Sequence, residues 1–309
     1  MTLHTAFAVR YGASGVIAGI TNLNTSLNPE VKSDPGPGSP FPQFAVILSQ
    51  KPKLMFSSQA VAAALGVTGA TGAVIDATNN LFAFFAQLGS NGLPAAGNVH
   101  RSYTFNRGLL VPRRLNVQSR QFATLDMEAL TYSSDGAAHP MVLADNAVLP
   151  AVALDNVHHT IGKVVLGSGT SITADCINNI SIDFGSRAET VACGSALYDQ
   201  HLQQPAIQPV ITLRGINASV FAASGGVPPV GLALTHAGST IFLRKYASSG
   251  IGFVADATAE HIAMTFDGVA VVTEHTGQGT QRAEVSIQIT TKWDGTNAPI
   301  TIDTAADIT

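Results

Sequence analysis

The chain has 309 residues, room for two ordinary domains at roughly 150 residues each. Charged residues make up only 12%, about half the usual ~25%, and the mean hydropathy is +0.25. This excludes a disordered chain and a charge-flanked coiled coil. With 16 basic against 20 acidic residues, the chain has no electrostatic footprint for reading double-stranded nucleic acid.

Taken in chain order, the first strand-like run is Gly15 to Leu23. A long stretch rich in Pro, Gly, Asn and Ser follows, Asn24 to Pro42, and then an apolar strand, Phe44 to Leu48. Ser57 or Ser58 is placed to cap a short helix, Gln59 to Leu65, stopped by Gly66. A strand is expected over Leu81 to Leu88. In the next long strand Leu125, Met127 and Ala129 alternate with Asp126 and Glu128. Asp135-Gly136, with Pro140 after it, reads as a turn.

The second half spells the same order. Ile177 to Phe184 is a strand, Gly185 to Pro205 a loop and Ile207 to Leu213 a strand. Ala218 to Ala223 reads as a short helix capped by Asn217, and Thr240 to Tyr246 as a strand. In the last long strand Val285, Ile287 and Ile289 alternate with Ser286, Gln288 and Thr290, before Asp294-Gly295 and Pro299. Four matches recur at a nearly constant offset, half the chain apart: His100 with His261, Asp135-Gly136 with Asp294-Gly295, Ile17 and Ile20 with Ile177 and Ile180, and Phe82 with Phe242. The expected fold is mostly β: two tandem β-sandwich or half-barrel domains, 1–155 and 156–309, each with a short flanking helix and a long inter-strand loop. Loops of about 20 residues are uncommon in compact domains and usually have a job.

Chemistry is sparse. Gly167-Ser168-Gly169 lacks the third Gly and the Lys of a phosphate loop. No nucleophile elbow is present. Glu260-His261 and Glu274-His275 lack a second His four residues on, as a zinc helix requires. Cys176 and Cys193 cannot make a disulfide framework and read as idle thiols of a reducing compartment. No catalytic, metal or cofactor residue is assigned. Arg101, Arg107, Arg113, Arg114 and Arg120 form the one basic cluster, read as a solvated or subunit-contacting face because stacking aromatics are missing. The charge-free window 215–243 is broken by Asn217, Gly225, Gly226, Pro228 and Pro229, so no membrane span is expected. Met1 to Val9 has no basic region, so no secretory signal is expected either. So little charge needs a large core, or a surface covered by copies of the same chain.

Ser181-Ile182-Asp183-Phe184-Gly185, then Glu189-Thr190, then Gln208 to Gly215, resemble tail tube proteins of long-tailed bacteriophages. So do Asn106 to Pro112 after His100 and the segment Asp294 to Pro299. The resemblance covers most of 160–309 and, more faintly, 80–145. It implies a β-sandwich with a flanking helix, subunits that join their sheets into rings, and rings that stack into a hollow tube for DNA. Implied partners are further copies, tail-terminator and distal tail proteins, and passing DNA held without sequence reading; the implied place is the virion tail, assembled in the host cytoplasm. If one domain per chain gives a six-fold ring, two per chain give a trimer of pseudo-hexameric appearance. A wall that lets DNA slide should not be basic, so Asp126, Glu128, Glu284, Ser286 and Gln288 are the candidate lumen-facing residues and the arginine cluster is expected elsewhere. Both long loops are expected to reach a neighbouring ring. Another virion protein, either a capsid decoration or a tail terminator, and a tandem glycan-binding module are the competing readings.

Overall fold

The computed structural model describes residues 3–37, 40–152, 157–167, 172–173, 177–215, 231–277 and 283–308. The chain is mostly β, with several antiparallel sheets and one helix among the described residues. The first half contains β1 (His4–Tyr11), β2 (Gly15–Ile17), β3 (Ile20–Ser26), β4 (Pro29–Asp34), β5 (Phe44–Gln50), β6 (Lys53–Ser58), α1 (Val61–Thr68), β7 (Ala73–Ile75), β8 (Leu81–Gln87), β9 (His100–Phe105), β10 (Gly108–Gln118), β11 (Thr124–Thr131) and β12 (Met141–Ala147). The second half contains β13 (His159–Leu166), β14 (Ile172–Thr173), β15 (Ile177–Asp183), β16 (Glu189–Val191), β17 (His201–Gln203), β18 (Val210–Gly215), β19 (Leu232–Leu234), β20 (Thr240–Lys245), β21 (His261–Phe266), β22 (Gly268–Thr276), β23 (Glu284–Thr291) and β24 (Ile300–Ala306).

The same strand order occurs twice. One sheet of the first half runs β12-β9-β8-β1-β2, and one of the second runs β24-β21-β20-β13-β14. The remaining long strands of the two halves do not lie in separate sheets. They fuse into one ten-stranded sheet, β19-β22-β23-β18-β15-β10-β11-β6-β3, with β7 beside β10. The seam is β10 against β15, from Arg114↔Asp183 to Gln118↔Asn179. Two-residue periodicity explains the layering. Leu125, Met127 and Ala129 of β11, with Ile180, Ile182, Ile211, Leu213, Ile287 and Ile289, point into one continuous apolar core. Each leucine, isoleucine or methionine among them contributes roughly 1.5–3 kcal/mol by leaving water.

The pairing registers correct two of the four repeat matches. His100 and His261 open corresponding strands, β9 and β21, and the two Asp-Gly turns follow β11 and β23. Ile20, however, pairs with Ser58 as Ile177 pairs with Gly215, so Ile20 corresponds to Ile177 and not to Ile180. Phe82 pairs with Thr104 as Thr240 pairs with Thr265, so Phe82 corresponds to Thr240. The offset changes from strand to strand instead, being 157 at Ile20 and Ile177, 158 at Phe82 and Thr240 and 161 at His100 and His261, so connections of unequal length keep the spacing from being constant.

Helix α1 starts later and runs longer than its sequence suggests. Its N-cap is Ala60, whose backbone N–H donates to Ser58 Oγ (3.0 Å), so Ser58 braces the entry without capping the helix. Gly66 does not stop it; Gly69 does, its N–H donating to Leu65 O (2.7 Å). The expected second helix, Ala218 to Ala223, lies outside the described residues. Gly66 is exposed and a Cβ there would meet only Thr304 Oγ1 at 3.9 Å. Gly66→Ala should therefore stabilise the protein by about 0.5–1 kcal/mol, read as a higher urea midpoint at unchanged slope.

The long loop after β3 is a β-hairpin, β4–β5, and the apolar strand Phe44 to Leu48 is its exposed return. Its counterpart after β15 carries β16–β17, paired in the same register. Asp34↔Phe44 matches Val191↔His201, and Lys32↔Val46 matches Glu189↔Gln203, at one constant offset (191 against 34, 189 against 32).

Candidate functional site

The open face of the fused sheet collects every candidate lumen residue. Asp126 and Glu128 of β11 and Glu284, Ser286 and Gln288 of β23 alternate with core residues of those strands, so all five share this face. Asp126 accepts a hydrogen bond from Ser57 Oγ (2.6 Å). Glu128 is not a wet wall residue. It is buried, accepts from Arg113 Nε (2.6 Å) and lies 3.5 Å from Lys53 Nζ. Ser286 is also buried, against β22 and β18.

The five arginines do not form one cluster. Arg101, on β9, is in the other sheet and pairs with Asp145 (2.7 Å). Arg120 sits in the turn after β10 at φ 64°. Arg113 and Arg114 lie on the open face beside the acids, where the register shift in β10 between Pro112 and Arg114 brings both to the same side. Arg114 Nε donates to Ser181 Oγ (3.0 Å), across the seam, and Arg113 Nη1 donates to Ser186 O. The expectation that acids and arginines would lie apart is thus corrected. The face carries both signs, and its arginines are tied into the junction. Between the halves this face dips into a groove of about 690 Å³ lined by Arg113, Arg114, Asp183, Arg187, Gln208 and Thr290.

The second long loop also departs from expectation. It does not reach away from the body but folds back on the first half. Gln50 N–H donates to Leu197 O (2.8 Å), Tyr198 N–H to Gly136 O (3.1 Å) and Ser133 N–H to Asp199 O (2.7 Å). The Tyr198 ring lies 4.9 Å from that of His139. Asp199 accepts from Thr190 Oγ1 and lies 3.4 Å from Lys51 Nζ. The Asp135 turn on which this tip rests is pinned by its own carboxylate, which accepts from Ala137 N (2.9 Å) and Ala138 N (2.7 Å). The Asp294 turn is built alike, accepting from Thr296 N (2.8 Å) and Asn297 N (2.6 Å). Those bonds, with one from the Asn297 side chain, hold the Asp294 carboxyl down at about 2.

No protein-family model and no curated protein sequence matches this chain.

Among the described residues no three His, Cys, Asp or Glu side chains converge as metal ligands. No described helix is long and apolar enough to cross a membrane. Cys193, read as a buried or idle thiol, is exposed near the tip of the β16–β17 hairpin; Cys176 lies outside the described residues. The best-built polar features are two structural histidines. His100 Nδ1 accepts from Gln87 N (3.1 Å) and His261 Nδ1 from Lys245 N (3.0 Å), and both rings are buried at the start of corresponding strands. An imidazole nitrogen that accepts a backbone N–H serves as a bracket between strands. Among the described residues no further strand pairs with the outer edge of β3 or with β22 beyond β19, and the β4–β5 hairpin lies exposed.

Proposed function

We propose that this chain is a structural virion protein, the ring-forming subunit of a phage tail tube, with two domains that arose by duplication and no catalytic task. Copies join edge to edge into a trimeric, pseudo-hexameric ring; rings stack into a hollow tube that conducts DNA. The observation that carries this reading is the seam between the halves. Two strand sets of identical order are joined there by edge pairing, β15 of one on β10 of the other. A joint made by repeating units at one end is a joint they can make again at the other. The remaining ends are β3, the counterpart of β15, and β22, the counterpart of β10. Carrying the seam register over, Ser26 of one copy would face Glu274 of the next and Asn24 would face Thr276. Closing the ring removes both exposed edges, which otherwise invite uncontrolled pairing.

The halves would alternate around such a ring in charge as well as in position. Residues 1–155 hold 9 basic and 8 acidic residues, and residues 156–309 hold 7 and 12. The test is native mass spectrometry of the purified protein together with electron microscopy. Closed three-chain rings, or tubes built from them, are the expected result. A six-chain ring rejects the pseudo-hexamer, and a chain that remains monomeric at every concentration rejects the structural reading.

A further inference from the structure

We infer that Phe41, at the tip of the β4–β5 hairpin, seats on the Asp294–Ala298 turn of a second copy of this chain, beside its Trp293. The inference rests on the reading that copies associate edge to edge, and it names a second contact that such copies make. The segments between the last residue of β3 and the first of β6, and between the last of β15 and the first of β18, have equal length: 27–52 against 184–209. Their hairpins are paired in the same register, at one offset throughout (191 against 34). Phe41 therefore corresponds to Tyr198 (198 against 41). One is 73% exposed and the other 5% exposed.

Tyr198 is buried because the first half lies under it. Its N–H bonds Gly136 O and its ring meets His139, on the turn that Asp135 pins. The second half offers the equivalent turn, with Gly295 for Gly136 and Ala298 for His139 (295 against 136). That turn is held in the same shape by Asp294. Among the described residues no hairpin tip of its own chain rests on it, since the first hairpin points outward, with Val31, Phe41, Phe44 and Ile47 exposed. The two copies also differ at these positions. The tyrosine is a phenylalanine, and Trp293, 67% exposed, stands where the first half has Ser134. Aromatic surface at both sites favours a contact that must form without the help of a covalent link. Geometry agrees with the edge joint as well. In the chain, the half whose β15 pairs with β10 is the half whose tip rests on the turn; between chains, the half whose β3 pairs with β22 is the half that owns Phe41.

The test is a cysteine pair, Phe41→Cys with Ala298→Cys, in a background with Cys176→Ser and Cys193→Ser, bridged by a short bismaleimide. The pair Tyr198→Cys with His139→Cys serves as the control and should link within one chain at any concentration. The expected result is covalent dimers and trimers, lost when either cysteine is omitted, with linked peptides spanning residues 41 and 298. In the unlinked protein Phe41→Asp should reduce the assembled fraction at least tenfold while leaving the thermal transition of the monomer in place. Assembled rings that give no 41–298 link, and that Phe41→Asp leaves unchanged, overturn this contact and spare the ring. Absence of any assembly in the unsubstituted protein overturns both.

Discussion

Gly108→Ala and Gly268→Ala are each expected to lower the stability of the protein sharply. These glycines open corresponding strands, β10 and β22, and pair with Thr131 and Thr291 in the same register. A Cβ at Gly108 would fall on the carbonyl oxygen of Leu130, and one at Gly268 on that of Thr290, closer than side-chain carbons are found to backbone. Backbone on a central strand cannot yield as a flexible side chain can. Gly108 also stands at φ 156°, a conformation L residues rarely adopt. Strain and overpacking of this kind cost about 1–3 kcal/mol each, so a combined loss of about 3 kcal/mol or more is expected at Gly108 and somewhat less at Gly268. Urea unfolding of the two variants beside Gly66→Ala gives the comparison. Near-wild-type midpoints for both would mean that β10 and β22 do not approach their neighbours as described.

The protein should also lose stability in mild acid, in a window set by His159. Burial is the main cause that pushes this imidazole down to about 4; the carbonyls of Glu260 and Val157 oppose it, and the neighbouring Lys245 ammonium and His261 ring add to it. The folded value lies below the unfolded one of about 6.5, so the unfolded chain binds the extra proton between them. The contribution is whole above pH ~6.5 and is lost as pH falls toward ~4. Carried from about 6.5 to about 4, this is a contribution of about 3 kcal/mol. Asp135 and Asp294 titrate lower than usual, so their share is lost only further down. The measurement is the urea midpoint at pH 7.5 and pH 5, for the unsubstituted protein and for His159→Gln. The drop should be clearly smaller in the variant. Equal drops would assign the acid sensitivity elsewhere.

Much of the fold was legible because period-two alternation survives wherever one face of a strand is buried, as in Leu125 to Ala129 and Val285 to Ile289. The Asp-Gly turns were legible because the residues themselves make the turn. The repeat was legible only in part. Apolar pairs such as Ile20 and Ile180 recur in every strand, so a slip of three positions still matches isoleucine to isoleucine, whereas a buried histidine such as His100 has one counterpart. The seam was not legible at all. Which edge β10 presents to β15 depends on contacts between segments far apart in the chain, Arg114 with Asp183 among them, and no local pattern encodes them. Phe44 to Leu48 forms the expected strand, but its place was not legible. A continuous apolar run signals burial, and here the run lies exposed on the hairpin. Polarity showed that the five candidate residues share one face, but their spacing could not tell that Glu128 would be held by Arg113.

The seam also sets an order in time. The ribosome delivers β10 long before β15: its last residue, Gln118, precedes Asp183 by 65 positions (183 − 118). At synthesis rates of roughly 5–20 residues per second, that edge waits on the order of several seconds for its partner. During that interval the nascent first half displays the acceptor that the second half will fill, along with its own β3 edge, the kind of strand that fills it. Two nascent chains on one message would thus hold complementary edges side by side. The chain's defence is tethering, since the correct β15 arrives on the same polypeptide and at far higher local concentration than any competitor. Carrying both strand sets on one chain therefore has a consequence for assembly if copies join as proposed. It lets every other joint be made before release, by the order in which the sequence is read.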